Sequence, residues 1–155
     1  MRVLNVLQPW ASLIFAKDNQ GNRIKVHETR SWRTNYEGPV AILASAKRGT
    51  PDGPLASLMT RKGIDNPEDY PLGVIIGTAY IQGPDAMVPT DNHPTRHRLH
   101  PTDFVTGDWT PGRWAWRLTG ARRLKRPIPT KGKLGLWHPD QELLTAIQQA
   151  RTEPL

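Results

Sequence analysis

The chain has 155 residues, with 21 Lys and Arg against 14 Asp and Glu, five His and no Cys, for a formal net charge of +7. This length suits a single domain over residues 1–155, and the lack of Cys excludes disulfides, Cys-ligated metals and a thiol nucleophile. No apolar run approaches the roughly 20 residues of a membrane span and no signal peptide is visible, so we expect a cytoplasmic domain. The positive charge favours an anionic partner.

Fifteen Pro and 13 Gly divide the chain into short elements, which is typical of a small barrel with loops. In the first half we predict a strand over 2–7, a helix from Pro9 to about Lys17, a strand over 26–32, a strand over 40–45 and one or two helical turns over 54–63. In the second half we predict a strand over 72–81, a polar excursion with little regular structure over 82–111, a strand over 114–118, a strand over 134–137 and a helix over about 139–151.

Three ionisable residues lie close together around the second predicted strand. The alternation of a strand places Glu28 and Arg30 on one face, and Lys25 lies just before it. Arg can bind phosphate as a fork, Lys can act as a point charge or an amine nucleophile, and Glu can act as a base or a hydrogen-bond acceptor. The alternative is a surface strand with an internal ion pair.

The blocks 7–14, 25–32, 36–39, 44–47 and 70–77 together resemble the ASCH domain (activating signal cointegrator homology), a branch of the PUA-like superfamily. The family signature is Gly-x-Lys-x-x-Glu-x-Arg, and Lys25, Glu28 and Arg30 fall in register with it. Arg23 stands at the position of the signature glycine, and Gly21 lies two positions earlier.

The resemblance implies an α+β fold, namely a small PUA-like mixed β-barrel of about five or six strands with flanking helices. The barrel core would cover about residues 2–137. The resemblance also implies a cleft lined by the signature residues and a role linked to RNA. Relatives include nucleic-acid-binding modules, a bacterial type resembling a ribonuclease for single strands, and a short type that hydrolyses N4-acetylcytidine. In that short type a Thr stands where this chain has Glu28.

A second feature is a stretch of one-sided charge, the basic strip, which we define as residues 109–139. It contains no Asp or Glu, and its eight Lys and Arg are interleaved with Trp109, Trp114, Trp116 and Trp137. Cations neutralise phosphates and aromatic faces stack on unpaired bases, so this pattern is typical of a single-strand-binding surface. Trp116 and Trp137 are also candidates for the core. The residues to which we assign nucleic-acid binding are Trp10, Trp32, Lys47, Arg113, Arg122, Arg123, Arg126, Lys131 and Lys133.

The histidines His93, His97 and His100 form the remaining cluster, and Asp91 or Asp103 could add an oxygen ligand. Zinc sites demand a fixed geometry, and prolines interrupt the helix that this spacing would need. We therefore predict no metal site and no cofactor, and we interpret the segment as a polar loop beside the cleft.

Together these features predict a domain, favoured as a monomer, that binds RNA in a basic cleft, with single-stranded RNA as the expected partner. The leading hypothesis is a metal-independent ribonuclease in which Glu28 or His27 is the base and Lys25 and Arg30 stabilise the charged transition state. One alternative is an amidohydrolase of a modified nucleoside such as N4-acetylcytidine. The other is a non-catalytic nucleic-acid-binding module.

Overall fold

Aliphatic and β-branched runs form the strands of one curled sheet in the computed structural model, which describes residues 1–90 and 100–155. The strands are β1 (Arg2–Gln8), β2 (His27–Arg30), β3 (Gly38–Arg48), β4 (Val74–Ile81), β5 (Val88–Pro89), β6 (Trp114–Pro129) and β7 (Leu136–Trp137). Their order is β2-β6-β4-β3-β1-β7, and β5 also pairs with β6. Only β1 and β3 run parallel among the described pairs, so the sheet is mixed.

Four α-helices flank the sheet in the described part of the chain: α1 (Trp10–Leu13), α2 (Gly53–Arg61), α3 (Pro101–Val105) and α4 (Gln141–Thr152). Short 3-10 turns lie at Pro67–Asp69 and Pro84–Ala86. Aspartates begin the two longer helices, because their carboxylates accept the free N–H groups of the first turn. Asp52 Oδ1 accepts from Leu55 N at 2.9 Å, and Asp140 Oδ1 accepts from Leu143 N at 2.8 Å.

The sheet buries apolar side chains on both of its surfaces. Trp116 and Ile42 belong to the cluster enclosed by the curled sheet, while Trp137 and Ile147 lie in a second cluster beneath α4. Trp116 and Trp137 are therefore core residues, as one interpretation of the sequence predicted. Among the described residues, no helix is long and apolar enough to cross a membrane.

The curled sheet and its helices confirm the prediction of a small α+β PUA-like barrel. The predicted helix from Pro9 is shorter than expected, since α1 ends at Leu13. A tight turn follows, in which Asp18 Oδ1 accepts the N–H groups of Gln20 and Asn22, both at 2.9 Å. Between this turn and Leu13 the backbone pairs with residues 23–24 instead: Ile24 N donates to the Ala16 carbonyl at 3.1 Å and Lys17 forms a bridge with Arg23, so the helix does not extend to Lys17.

Two other boundaries differ from prediction. The strand expected over 114–118 continues to Pro129, because β6 pairs with β4 as far as Val74–Pro129 although its second half is polar. The excursion over 82–111, for which we predict little regular structure, contains a 3-10 turn at Pro84–Ala86, the two-residue β5 and the five-residue α3. The candidate metal ligands Asp91, His93 and His97 lie outside the described residues.

Candidate functional site

A cleft of about 500 Å³ opens between β1, β2 and the segment 106–113 that follows α3. This volume is within the usual range for small-ligand sites. The polar and aromatic residues of its lining include Asn5, Trp10, Glu28, Arg30, Asp108 and Arg113.

Glu28 is the recessed carboxylate of the cleft, and Asp108 is the other acidic residue of its described lining. Its Oε1 accepts from Thr29 N at 3.1 Å and lies 3.6 Å from Lys25 Nζ, and its Oε2 lies 3.4 Å from Arg30 Nη2. Burial alone would raise the pKa of Glu28, but the charges of Lys25 and Arg30 and the Thr29 N–H together lower it below its ordinary value. The cleft therefore contains an ionised carboxylate at neutral pH.

Lys25 lies behind Glu28. It is only 1% exposed and is not among the described residues that line the cleft. Its Nζ donates to the carbonyl of His27 at 2.6 Å and to the carbonyl of Thr106 at 3.0 Å. Lys25 therefore holds the Glu28 carboxylate and fastens the cleft wall at Thr106 to β2, whereas the sequence suggested that Lys25 contacts a ligand.

Arg23, at the position of the signature glycine, points toward β6. Its Nη2 donates to the Leu118 carbonyl at 3.1 Å, and burial lowers its pKa. The backbone at Arg23 forms an isolated bridge with Lys17. Lys25 still reaches Glu28 from this lengthened turn, so the departure from the signature leaves the ion pair in place.

Two arginines provide the positive charge of the cleft. Arg30 Nη2 donates to the carbonyl of Asn5 at 2.6 Å, which ties the end of β2 to β1. Arg113 Nη2 donates to the carbonyl of Thr29 at 3.0 Å, and its Nε lies 3.4 Å from Asp108 Oδ2. The side chains of Arg30 and Arg113 are 26% and 25% exposed, and both residues line the cleft.

His27 pairs with Asp103 outside the cleft lining. Its Nδ1 lies 2.7 Å from Asp103 Oδ2, while Asp103 Oδ1 accepts the backbone N–H groups of Val26 at 2.8 Å and His27 at 3.1 Å. Burial would raise the pKa of Asp103, but the hydrogen bond and charge of His27 and the Val26 N–H lower it. The sequence offers Asp103 only as a candidate metal ligand, because Asp103 lies 76 positions after His27 and no local pattern signals their contact.

The predicted aromatic and strand-end residues occupy different places. Trp10 lines the cleft, whereas Trp32 does not and packs edge-to-face on Trp116 with ring centroids 4.6 Å apart. Lys47 is exposed on β3 and is absent from the lining. Of these three predicted binding residues, the structure brings only Trp10 to the cleft.

The basic strip divides over several surfaces. Arg122 Nη2 and Arg126 Nε contact Glu153 after α4, at its carbonyl (3.1 Å) and its Oε2 (3.0 Å). Arg123 Nη2 lies 3.4 Å from the Ser12 carbonyl, and burial lowers its pKa. Within the described chain, Arg113 is the one cation of the strip that lines the cleft.

Lys131 and Lys133 lie exposed on the loop between β6 and β7. The loop approaches the cleft at Asn5, because a Cβ on Gly132 would fall 1.8 Å from Asn5 Nδ2. Asn5 Oδ1 accepts from Trp137 Nε1 at 3.0 Å, which fixes this end of the cleft. The two lysines thus border the cleft without lining it.

In the described ranges, no group of three or more His, Asp or Glu residues could hold a metal ion. His100 instead caps α3, where its Nδ1 accepts the Thr102 N–H at 3.3 Å. The structure gives His100 a local role at the helix start.

Comparison with known proteins gives a partial match, and no family model matches the chain. Over 79 residues the chain is 37% identical to Activating signal cointegrator 1 of Homo sapiens and 35% identical to the protein of that name in Mus musculus. Each match covers 48% of this chain and 13% of the relative. The chain thus corresponds to a small part of these longer proteins.

Proposed function

We propose that this chain, which carries an ASCH-like domain, binds single-stranded RNA in the cleft between β1 and β2. The observation that carries the proposal is the ionised Glu28 carboxylate, 3.4 Å from the Arg30 guanidinium, in a cleft that Arg113 also lines. Guanidinium groups bind phosphate through charge-assisted hydrogen bonds. A carboxylate accepts the N–H groups on the edge of a base.

The recessed position of the Glu28 carboxylate favours a single-stranded over a double-stranded ligand. Glu28 is 7% exposed, so its carboxylate can be reached only by a group that enters the cleft. Bases in an RNA duplex keep their Watson–Crick edges paired, whereas single-stranded bases can be turned outward and stacked on aromatic side chains. Trp10 at the cleft wall offers such a ring. The volume of about 500 Å³ suits one nucleotide.

The test of binding is fluorescence anisotropy with a labelled RNA of about 12 nucleotides, as a single strand and as a duplex. We expect salt-sensitive binding of the single strand, with weaker binding of the duplex and of the Glu28→Gln variant. Glu142→Gln is the matched control, because Glu142 is exposed on α4 and absent from the cleft lining. Equal affinity of Glu28→Gln and wild type would contradict the proposal.

We also propose that the cleft cleaves the bound strand as a metal-independent ribonuclease. Glu28 would accept the proton of the 2′-hydroxyl as its oxygen attacks the adjacent phosphorus. Arg30 and Arg113 would stabilise the charged phosphorane, the bond to the 5′-oxygen would break, and that oxygen would take a proton from solvent. The products are a 2′,3′-cyclic phosphate and a 5′-hydroxyl end. The lowered pKa of Glu28 makes it a weak base, so we expect slow cleavage.

Cleavage is tested with end-labelled RNA in the presence of EDTA, comparing wild type with Glu28→Gln. A cyclic phosphate formed by wild type alone supports the ribonuclease. RNA left intact by both proteins would remove the ribonuclease claim and leave a non-catalytic binding module. Loss of the acetyl group from free N4-acetylcytidine, followed by absorbance, would instead indicate an amidohydrolase.

A further inference from the structure

A second compartment, here called the aromatic compartment, opens beside the cleft. Its volume is about 490 Å³, and it lies between the start of α2, the helix α3 and residues 107–111. Its aromatic lining residues are Trp10, Phe104 and Trp109, and its aliphatic ones are Pro54, Leu55, Val105 and Pro111. Phe104 is 37% exposed and contributes an aromatic ring to this lining.

The aromatic compartment adjoins the cleft. Trp10, Gly107 and Asp108 line both, so they form the boundary between them. A side chain at Gly107 would obstruct this boundary, since a Cβ there would lie 2.6 Å from Trp109 Nε1. Arg113 pairs with Asp108 at the same boundary, so it can receive the phosphate that links two nucleotides.

Packing holds Trp109 in place in the wall of the aromatic compartment, and the charged residues of its described lining are acidic. The Trp109 ring packs edge-to-face on His27 with ring centroids 5.7 Å apart, and its Nε1 lies 3.4 Å from the Asp103 carbonyl. Asp52 and Asp108 supply two carboxylates, and the described lining holds no Lys or Arg. Inside the compartment these carboxylates favour a neutral aromatic ring that carries N–H donors, whereas a phosphate is favoured only at the boundary, where Arg113 balances Asp108.

We propose that the aromatic compartment binds the nucleobase adjacent to the nucleotide held against Glu28, with an amino-bearing base such as adenine as its occupant. The proposal rests on the proposed function, binding of single-stranded RNA in the cleft. It adds that the recognised unit is a dinucleotide: one nucleotide lies against Glu28, the linking phosphate lies at Arg113, and the second base stacks beside Phe104.

The test uses the whole chain and three probes: a nucleoside monophosphate, a dinucleotide with adenine at the second position, and the same dinucleotide with an abasic second position. The first sugar is 2′-deoxy, so that no cleavage occurs. Base stacking on aromatic side chains supports an expected affinity gain of about tenfold for adenine over the abasic probe. The adenine is placed 3′ in one series and 5′ in another, and a gain in either series supports the proposal.

Failure of the two proposals gives different results. Equal binding of the adenine and abasic probes in both series overturns the proposal that the aromatic compartment binds a base. The compartment would then be empty or serve a protein partner, and the proposal of RNA binding in the cleft would stand. Binding of none of the three probes overturns the proposed function itself.

Phe104→Ala tests the assignment within the aromatic compartment. We expect the ratio of adenine to abasic affinity to fall from about ten to near one. Tyr80→Ala is the matched control, because Tyr80 is similarly exposed, at 39%, and lines neither compartment. A ratio that stays near ten in Phe104→Ala, or that falls equally in Tyr80→Ala, would overturn the assignment.

Discussion

Lys25 Nζ lies 3.6 Å from Glu28 Oε1 in an ion pair beneath the cleft surface. Lys25 also bridges two carbonyls, those of His27 on β2 and Thr106 on the cleft wall. One buried ammonium thus fixes the ionisation of Glu28 and joins two segments that are far apart in sequence. The stability of the cleft wall and the charge state of Glu28 therefore depend on the same residue.

Replacement of Lys25 by Met is expected to destabilise the fold. The variant keeps the length of the side chain but leaves Glu28 without one partner and two carbonyls without their donor. Breaking a buried pair from one side costs about 3–5 kcal/mol. The free energy of unfolding in urea measures this loss.

The double variant Lys25→Met with Glu28→Gln separates the ion pair from the packing. We expect it to be more stable than Lys25→Met alone, because no uncompensated carboxylate remains. Strictly additive losses in the double-mutant cycle would mean that Lys25 and Glu28 do not interact, which would contradict the structure.

The signature spacing predicts that Glu28 and Arg30 share a face, because they are two residues apart on a strand, and it places Lys25 just before that strand. It could not show that Lys25 is buried, since the Thr106 carbonyl that holds it lies 81 residues away. The same holds for Arg113, which was selected as part of the basic strip and reaches Thr29 across 84 residues.

The density of charge along the chain predicts the cleft-lining residues less well than the spacing of the signature does. Arg122 and Arg126 belong to the same basic strip as Arg113, but they contact Glu153 beyond α4. The long strand β6 carries these residues to different ends of the sheet. Linear clustering therefore does not imply a single surface, and contacts far apart in sequence decide where each cation lies.

Acid is expected to destabilise the fold through Asp103 and Glu28. Both have pKa values below their ordinary 3.8 and 4.5, so their contribution to stability is complete above those values. It is lost as pH falls through the lower pKa values of the folded state. Urea unfolding between about pH 6 and pH 3 should show a falling free energy of unfolding.

Asp103→Asn tests the origin of this dependence. The variant should be less stable than wild type near neutral pH and should lose less stability on acidification. Asp85→Asn, at an exposed position outside the cleft, is the control and should follow wild type. A pH profile of Asp103→Asn as steep as that of wild type would show that the Asp103–His27 pair is not responsible.

Arg30→Ala should weaken RNA binding far more than Arg126→Ala. Arg30 lines the cleft, whereas Arg126 is exposed and pairs with Glu153. We expect a loss of about tenfold for Arg30→Ala and less than about twofold for Arg126→Ala. Anisotropy titrations at low and high salt measure both, with circular dichroism to confirm folding. Equal losses of affinity in the two variants would indicate that RNA binds along the basic strip and not in the cleft.

Gly77→Ala should destabilise the sheet where β4 meets β6 and the ring of Phe15, which follows α1. A Cβ at Gly77 would lie 2.4 Å from Phe15 Cε1 and 2.6 Å from the Arg122 carbonyl oxygen. The Phe15 ring can rotate, but the carbonyl belongs to the paired backbone of β6 and cannot move without breaking the register. Forced overpacking of this kind costs about 1–3 kcal/mol.

Gly53→Ala is the matched comparison, since a Cβ at Gly53 meets nothing within 4 Å and Gly53 lies in the first turn of α2. Its free energy of unfolding should stay within about 0.5 kcal/mol of wild type. Thermal and urea unfolding of both variants measure the difference. If Gly77→Ala were as stable as Gly53→Ala, β4 and β6 would not be packed as closely as in the structure. The position of β6, and with it that of Arg113 at the cleft, would then differ as well.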